Sequence, residues 1–451
     1  MARKAGVGTT DVPRRQLDRR IFALAVPAVG ALAADPLLSL VDTAFVAGLG
    51  PSALATLGVT SAIFGFVFVL FNFLAYATTP LVAKAIGEGK AAETGLVVGR
   101  AMSLALALGA GSAVLLVVFA EPLVRLMQAG PDVVDPAVSY LRIRALAAPA
   151  VLVVMAGHGA FRGLQNTRIP LLAALLANLI HVVLDPILIY TFGYGIAGAA
   201  AASAIAQYAA AVWLWRRLRD AFGPIHVGRG ASPHLASLLT AGGILTMRTL
   251  LLVLTLALGS ATAASVGTAA IAAHQVVRET WFLTAMVTDG LAIAAQALVA
   301  EQVGRGDQAA IAAINRRLLW WGLLVGMIVS AGWLVGAPLL AAGFAPNAEV
   351  AGLIADACRI AGLMAPAAAL VWVLDGILMG RMAFRGLVAS TGAGLIAGAM
   401  VFLLTESRGW GLAGVWWGMG AMILARLVVL VALVRRQGAA QVLRARGHRP
   451  S

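Results

Sequence analysis

Continuous apolar runs, broken at intervals by Gly, Pro and Arg, set the pattern of this chain from end to end. A helix needs roughly 20 apolar residues to cross about 30 Å of hydrocarbon. Runs of that kind fall near 20–48, 54–83, 95–120, 138–162, 168–191 and 195–215, then near 236–258, 266–300, 311–340, 350–380, 386–405 and 410–434. They predict twelve transmembrane helices, the eighth too long to be both straight and perpendicular to the bilayer. A transmembrane barrel would instead show short segments of alternating hydrophobicity.

Composition fixes the solvent. Hydrophobic residues make up 61% of the 451 positions and charged residues 12%, against about 45–50% and about 25% in soluble domains. Too little polar surface exists to cover such a chain in water, so an all-α integral membrane protein is predicted. The single cysteine, Cys358, rules out a disulfide framework. The first apolar run is too long for a signal-peptide core and a second follows at once, so it is expected to stay in the membrane.

Charge orients the helices. With the N-terminus inside, the inner segments hold Arg14, Arg15, Arg19 and Arg20, then Lys84, Lys90 and Arg100, Arg162 and Arg168, Arg216, Arg217 and Arg219, Arg305, Arg316 and Arg317, Arg381 and Arg385, and Arg435 and Arg436. The outer loops keep Arg125, Arg142 and Arg408 beside acids such as Glu121, Asp132, Asp135, Glu349 and Glu406. Both termini are therefore expected in the cytoplasm of a multi-pass protein of the cell inner (plasma) membrane. The same distribution accounts for the net charge of +14, and no nucleic-acid partner is needed.

The chain repeats itself. Gly87-Glu-Gly89 matches Gly304-Arg-Gly306, Gly193-Tyr-Gly-Ile-Ala-Gly198 matches Gly409-Trp-Gly-Leu-Ala-Gly414, and Pro149 matches Pro366, all at one nearly constant offset. Six helices per copy is an even number, so both copies insert the same way up, as parallel repeats with a substrate path between them. The expected organisation is a basic tail over 1–20, a six-helix lobe over 21–222, a linker over 223–234, a second six-helix lobe over 235–436 and a basic tail over 437–451.

Ionisable groups inside these runs are functional candidates, because each costs at least about 2.5–3.5 kcal/mol in hydrocarbon. Asp42, Asp185 and Ser203 lie about seven or eight residues inside the outer ends of helices one, five and six, which at 1.5 Å per residue puts them at one depth. His181 precedes Asp185 by four residues and shares its face. Two buried carboxylates close together titrate as a pair, which suits a proton carrier or a site alternately holding a proton and a cation. A packing network in which Asp185 satisfies His181 and Ser203 is the structural alternative. Asp35 shares the Asp42 face and is a substrate-binding candidate, and Pro27 and Pro36 are candidate hinges of helix one. In the second lobe Arg248, Asp289 and Asp375 are further substrate-binding candidates or lobe-locking ion pairs. Arg278 and Glu279 are adjacent, so each is expected to need another partner. No metal-ligand spacing, phosphate loop or nucleophile motif is present, so neither an enzyme nor a cofactor is expected.

Leu40-Val41-Asp42-Thr43-Ala44, the Gly87-x-Gly89 loop, Val183-Leu184-Asp185 and Leu374-Asp375-Gly376 resemble the multidrug and toxic compound extrusion family. Ala273-His274-Gln275 and Asp289-Gly290-Leu291-Ala292 are similar to the branch typified by the DNA-damage-inducible protein F. The resemblance runs from about Arg20 to Arg436. It implies two six-helix bundles forming a V, antiport of H⁺ or Na⁺, and export of cationic or amphipathic compounds. It maps the coupling site onto Asp42, His181, Asp185 and Ser203. His181 stands where the family usually has Asn, Ser203 where it has Thr, and Asp35 where a neutral polar residue is expected. Histidine can carry a proton itself near neutral pH, so the substitution leans toward H⁺. A monomer exporting small molecules against protons is expected, with sodium coupling or a flippase for a lipid-linked precursor as alternatives.

Overall fold

The computed structural model describes residues 14–226, 228 and 233–447, with the side chains of 35, 91 and 437–447 outside that description. The described residues build fifteen α-helices: α1 (Arg14–Ala47), α2 (Pro51–Val69), α3 (Phe73–Gly87), α4 (Ala91–Val118), α5 (Ala120–Leu126), α6 (Pro131–Ala145), α7 (Ala148–Gly163), α8 (Arg168–Pro186), α9 (Gly195–Phe222), α10 (Pro233–Val266), α11 (Thr268–Arg305), α12 (Gln308–Phe344), α13 (Ala348–Gly380), α14 (Phe384–Arg408) and α15 (Gly411–Gly447). Among them, eleven helical segments are long and apolar enough to cross a membrane, and the α6–α7 pair, bent by 49°, makes a twelfth. The fourth predicted helix is thus a broken span. Pro149, near the start of α7, lacks the N–H that would bond the carbonyl of Ala145, which removes one helical hydrogen bond at the break. The second span is also built from two pieces, joined by a turn of 3₁₀-helix over Leu70–Asn72. The eighth, α11, is 38 residues long.

The chain divides into two compact units, Val26–Thr246 and Met1–Ala25 with Met247–Ser451. These divisions fall inside α1 and α10, whereas the sequence places its boundaries at the tail and linker. Side chains explain both ends. Asp18 accepts from Arg317 and Trp321 of α12, and Phe22 meets Trp321 edge-on at 4.6 Å, which ties the start of α1 to the second unit. Thr246 donates to the Leu70 carbonyl and Gly242 abuts Phe73, which ties the start of α10 to the first. Part of the predicted linker lies outside the described residues; Gly228 lies against α4, where Arg100 donates to its carbonyl at 2.7 Å, and Pro233 and His234 open α10. The candidate hinges Pro27 and Pro36 both lie within α1, which is one continuous helix.

Each unit is organised around one central helix, and the two centres are the same in kind. In the first unit α7 packs against α3, α4 and α9; in the second α13 packs against α11, α12 and α15. The contacts repeat residue by residue. A Cβ on Gly159 would lie 2.7 Å from the Ala75 carbonyl oxygen, and one on Gly163 would lie 2.8 Å from that of Thr79. Their counterparts in the repeat, Gly376 and Gly380, abut the carbonyls of Ala292 and Gln296 in the same way. Gly109 meets Pro149 as Gly326 meets Pro366. Helices without a hydrophobic drive toward each other in lipid associate through such small-residue contacts. Gly376→Ala is therefore expected to force α11 and α13 apart, at roughly 1–3 kcal/mol, read as a lower melting temperature of the detergent-solubilised protein; an unchanged value would show that the carbonyl can move aside.

Candidate functional site

Asp42 on α1, His181 and Asp185 on α8, and Ser203 on α9 meet in one buried pocket of the first unit. Asp42 is 5% exposed and Asp185 is fully buried, with His181 and Ser203 nearly so. The spacing of four along α8 lays His181 directly against Asp185, Nε2 to Oδ1 at 3.2 Å. Ser203 Oγ lies 3.0 Å from the same Nε2. One ligand atom each from Asp42, His181 and Asp185 fall within 4.8 Å of one another. The histidine contact is close but poorly aligned, so both Asp185 oxygens, and Oδ1 of Asp42, lack a hydrogen-bond partner among the described residues.

The helix is irregular beside this group. Immediately after Asp185, Pro186 removes a backbone donor, and the chain continues as a wide π turn over Ile187–Thr191. Such turns are over-represented at functional sites. Tyr190 of that turn donates to the Phe45 carbonyl, and Asn178 donates to that of Ala34 at 2.8 Å, pinning α8 against α1 on either side of Asp42.

Sequence reasoning missed two members of the site, Tyr140 and Arg144 on α6. Tyr140 is fully buried and accepts from Arg144 Nη1 at 2.6 Å. The Arg144 guanidinium stacks 5.0 Å over the Phe64 ring, and its charge acts on Asp42 and Asp185. A straight fourth helix beginning at 138 leaves Arg142 and Arg144 together at the outer end. The break after Ala145 instead brings Arg144 beside the acids; Pro149 lies next to it, but its counterpart Pro366 sits in an unbroken α13.

The second unit holds a different constellation. Asp375 of α13 is buried and accepts from Arg248 Nη2 of α10 and from Arg426 Nη2 of α15, each at 2.6 Å and on the same oxygen. Two predicted candidates, Arg248 and Asp375, are thus brought together, and Arg426 joins them. An arginine within the run Ile423-Leu-Ala-Arg426-Leu-Val-Val was the visible clue. Asp289, on α11, is half-buried and has an interaction of its own. The Asp35 side chain lies outside the described residues. The expectation that Arg278 and Glu279 need separate partners is corrected: they pair with each other at 2.9 Å. Adjacent Cβ atoms diverge, but a guanidinium on three methylenes reaches back around the helix. Arg278 also donates to Ser260, and Gln275 donates to Glu279.

The repeat shows how far the two units have diverged. Positions equivalent to Asp42, His181, Asp185 and Ser203 are Gly259, Gly398, Phe402 and Met419. Phe402 and Met419 are buried, and a Cβ on Gly259 would lie 3.3 Å from Phe402 Cζ and 3.8 Å from Met419 Sδ. Apolar side chains fill the volume that holds the acids in the first unit.

The sequence profile of the MatE family matches residues 27–187 and again 244–404, two stretches of equal length set apart by the offset of the internal repeat. The chain is 35% identical over 437 residues to Protein DETOXIFICATION 44, chloroplastic, of Arabidopsis thaliana, covering 92% of this chain and 81% of that one. It is 27% identical over 431 residues to the DNA damage-inducible protein F of Escherichia coli (strain K12), covering 93% and 92%. A crystal structure of a MATE protein in the bent conformation aligns with a TM-score of 0.89 over 95% of this chain and 97% of that one, at 22% identity, a likeness of fold.

Proposed function

The chain belongs to the MatE family of multidrug efflux transporters, and from that premise we propose that it exports cationic or amphipathic small molecules in exchange for H⁺. The observation that carries this reading is the buried Asp42–His181–Asp185 group with its unpartnered carboxylate oxygens. Buried polar groups left without a partner call for one, and here a proton or a cation supplies it. Arg144 balances one of the two acids, which leaves one negative charge for the transported species.

A proton and a cationic substrate both satisfy that charge, so each weakens the binding of the other. Reciprocal coupling of that kind is antiport. The deprotonated pocket takes up substrate from the cytoplasm, and protonation from outside releases it. His181, with Nε2 between Asp185 and Ser203, offers a further proton position, since an imidazole exchanges protons readily. The proposed setting is the cell inner membrane, with both termini cytoplasmic on the distribution of arginines, and a monomer suffices because one chain supplies every group.

Sodium is the second reading, favoured by three ligand atoms within 4.8 Å of one another and by the affinity of carboxylate oxygens for hard cations. Purified protein in liposomes separates the two. Collapsing an imposed pH gradient is expected to stop transport of a fluorescent cation, while removing Na⁺ leaves it unchanged. The reverse pattern would assign the pocket to sodium.

A further inference from the structure

Three segments of the second unit converge on one cavity of about 540 Å³: the first two turns of α1, the last turn of α11 and the first turns of α12. Arg14, Arg20, Arg305, Arg316 and Arg317 line it, with Asp307 as the one acidic lining residue among those described. That volume lies within the range of small-molecule clefts, about 300–1,000 Å³.

The arginines fall into two groups. Arg20 and Arg305 both pair with Glu301, and Arg317 grips Asp18 through Nε and Nη2 at 2.5 and 2.7 Å. Asp307 is committed to capping α12 through the Ala310 N–H. These pairs fix the walls. Arg14 and Arg316 have no carboxylate partner among the described residues, and both are exposed at the mouth. The cavity therefore presents two guanidinium groups outside any ion pair among the described residues, in a rigid frame of three more.

Its remaining wall is apolar. Leu17 and Ile314 are buried beneath it, and Trp320 flanks it with the Arg317 guanidinium 4.5 Å over the ring. Tryptophan rings and long arginine side chains both favour the headgroup level of a bilayer. A soluble anion would use the charge and leave the apolar wall unfilled. A lipid fills both: its phosphate meets the guanidiniums, and its glycerol and first acyl carbons lie along Leu17 and Ile314.

We propose that this cavity binds the phosphate headgroup of an anionic phospholipid, seating one lipid against α1, α11 and α12. Basic pockets between transmembrane helices recognise such headgroups, and arginine takes phosphate through paired N–H donors.

The test is native mass spectrometry of the full chain in neutral detergent, titrated with phosphatidylglycerol or phosphatidylcholine. One phosphatidylglycerol is expected to be retained per chain in preference to phosphatidylcholine. R14Q/R316Q is expected to weaken that binding roughly 30-fold, about fivefold for each arginine near a charged lipid. These two side chains anchor no ion pair, so the variant folds, and its melting temperature in phosphatidylcholine verifies that. R435Q/R436Q removes the same charge elsewhere and is expected to leave the affinity within twofold. Equal binding of both lipids, retention by R14Q/R316Q, or equal loss in the control pair overturns the proposal. Displacement of the lipid by glycerol 1-phosphate at matching concentration also overturns it, by showing that a soluble phosphate ester is the ligand.

Discussion

Asp42→Asn is expected to abolish ion-coupled efflux while leaving a folded protein in the membrane at normal levels. Asparagine matches aspartate in shape, so the 5% exposed site gains neither a cavity nor a clash. What changes is charge. With Asp42 neutral, Arg144 and Asp185 balance each other, and the pocket no longer calls for a proton or a cation. Coupling free energies between two ligands are typically worth roughly 5- to 150-fold in affinity; on that scale the loss of Asp42 is expected to reduce gradient-driven transport roughly 100-fold. The measurement is efflux of a fluorescent cation from cells, normalised to the protein in the membrane. A well-expressed variant with unchanged, gradient-dependent transport would remove Asp42 from the coupling site. His181→Asn gives a useful companion, since it keeps the acids and deletes only the imidazole ring.

The second large effect is on stability. Asp375→Ala is expected to cost about 3–5 kcal/mol, because it leaves two buried guanidiniums facing one another without their carboxylate. Detergent-solubilised protein should melt at a clearly lower temperature, or fail to accumulate. Replacing all three members of the cluster, Arg248→Met, Asp375→Leu and Arg426→Met, should recover most of that loss, as a buried ion network can often be exchanged for apolar packing. If Asp375 instead served substrate binding, the single variant would melt normally and lose transport. That outcome would return Arg248 and Asp375 to the list of substrate contacts.

The membrane class, the number of crossings and the duplication were legible because each depends on averages over many residues. A long run of apolar side chains survives any local irregularity, and a constant offset between the halves needs only a few anchors. The grouping of the candidate residues was legible for a different reason: Asp42, His181, Asp185 and Ser203 lie in helix interiors, where depth follows from counting. Arg144 was hidden because its depth depends on a bend that counting cannot supply. Arg426 was hidden within a run whose apolar total it barely lowered, and only its partner Asp375 reveals why it is tolerated. The unit boundaries escaped because Asp18 and Thr246 are joined to their units by side-chain contacts, not by any change in composition. The pairing of Arg278 with Glu279 shows the same limit, since rules for Cβ spacing do not describe the ends of long side chains.

Phe402 and Met419, standing where the first unit has Asp185 and Ser203, also bear on the stoichiometry of the proposed exchange. On the antiport reading a chain with one such pocket exchanges one elementary charge per cycle. Swapping one proton for one monovalent cation moves no net charge across the bilayer, so the membrane potential, worth about 2.3 kcal/mol per charge per 100 mV, does no work on the cycle. The pH gradient alone sets the limit, and each pH unit, about 1.36 kcal/mol, supports roughly a tenfold accumulation. Had both halves kept the acids, two protons per cycle would have squared that ratio and made export voltage-dependent.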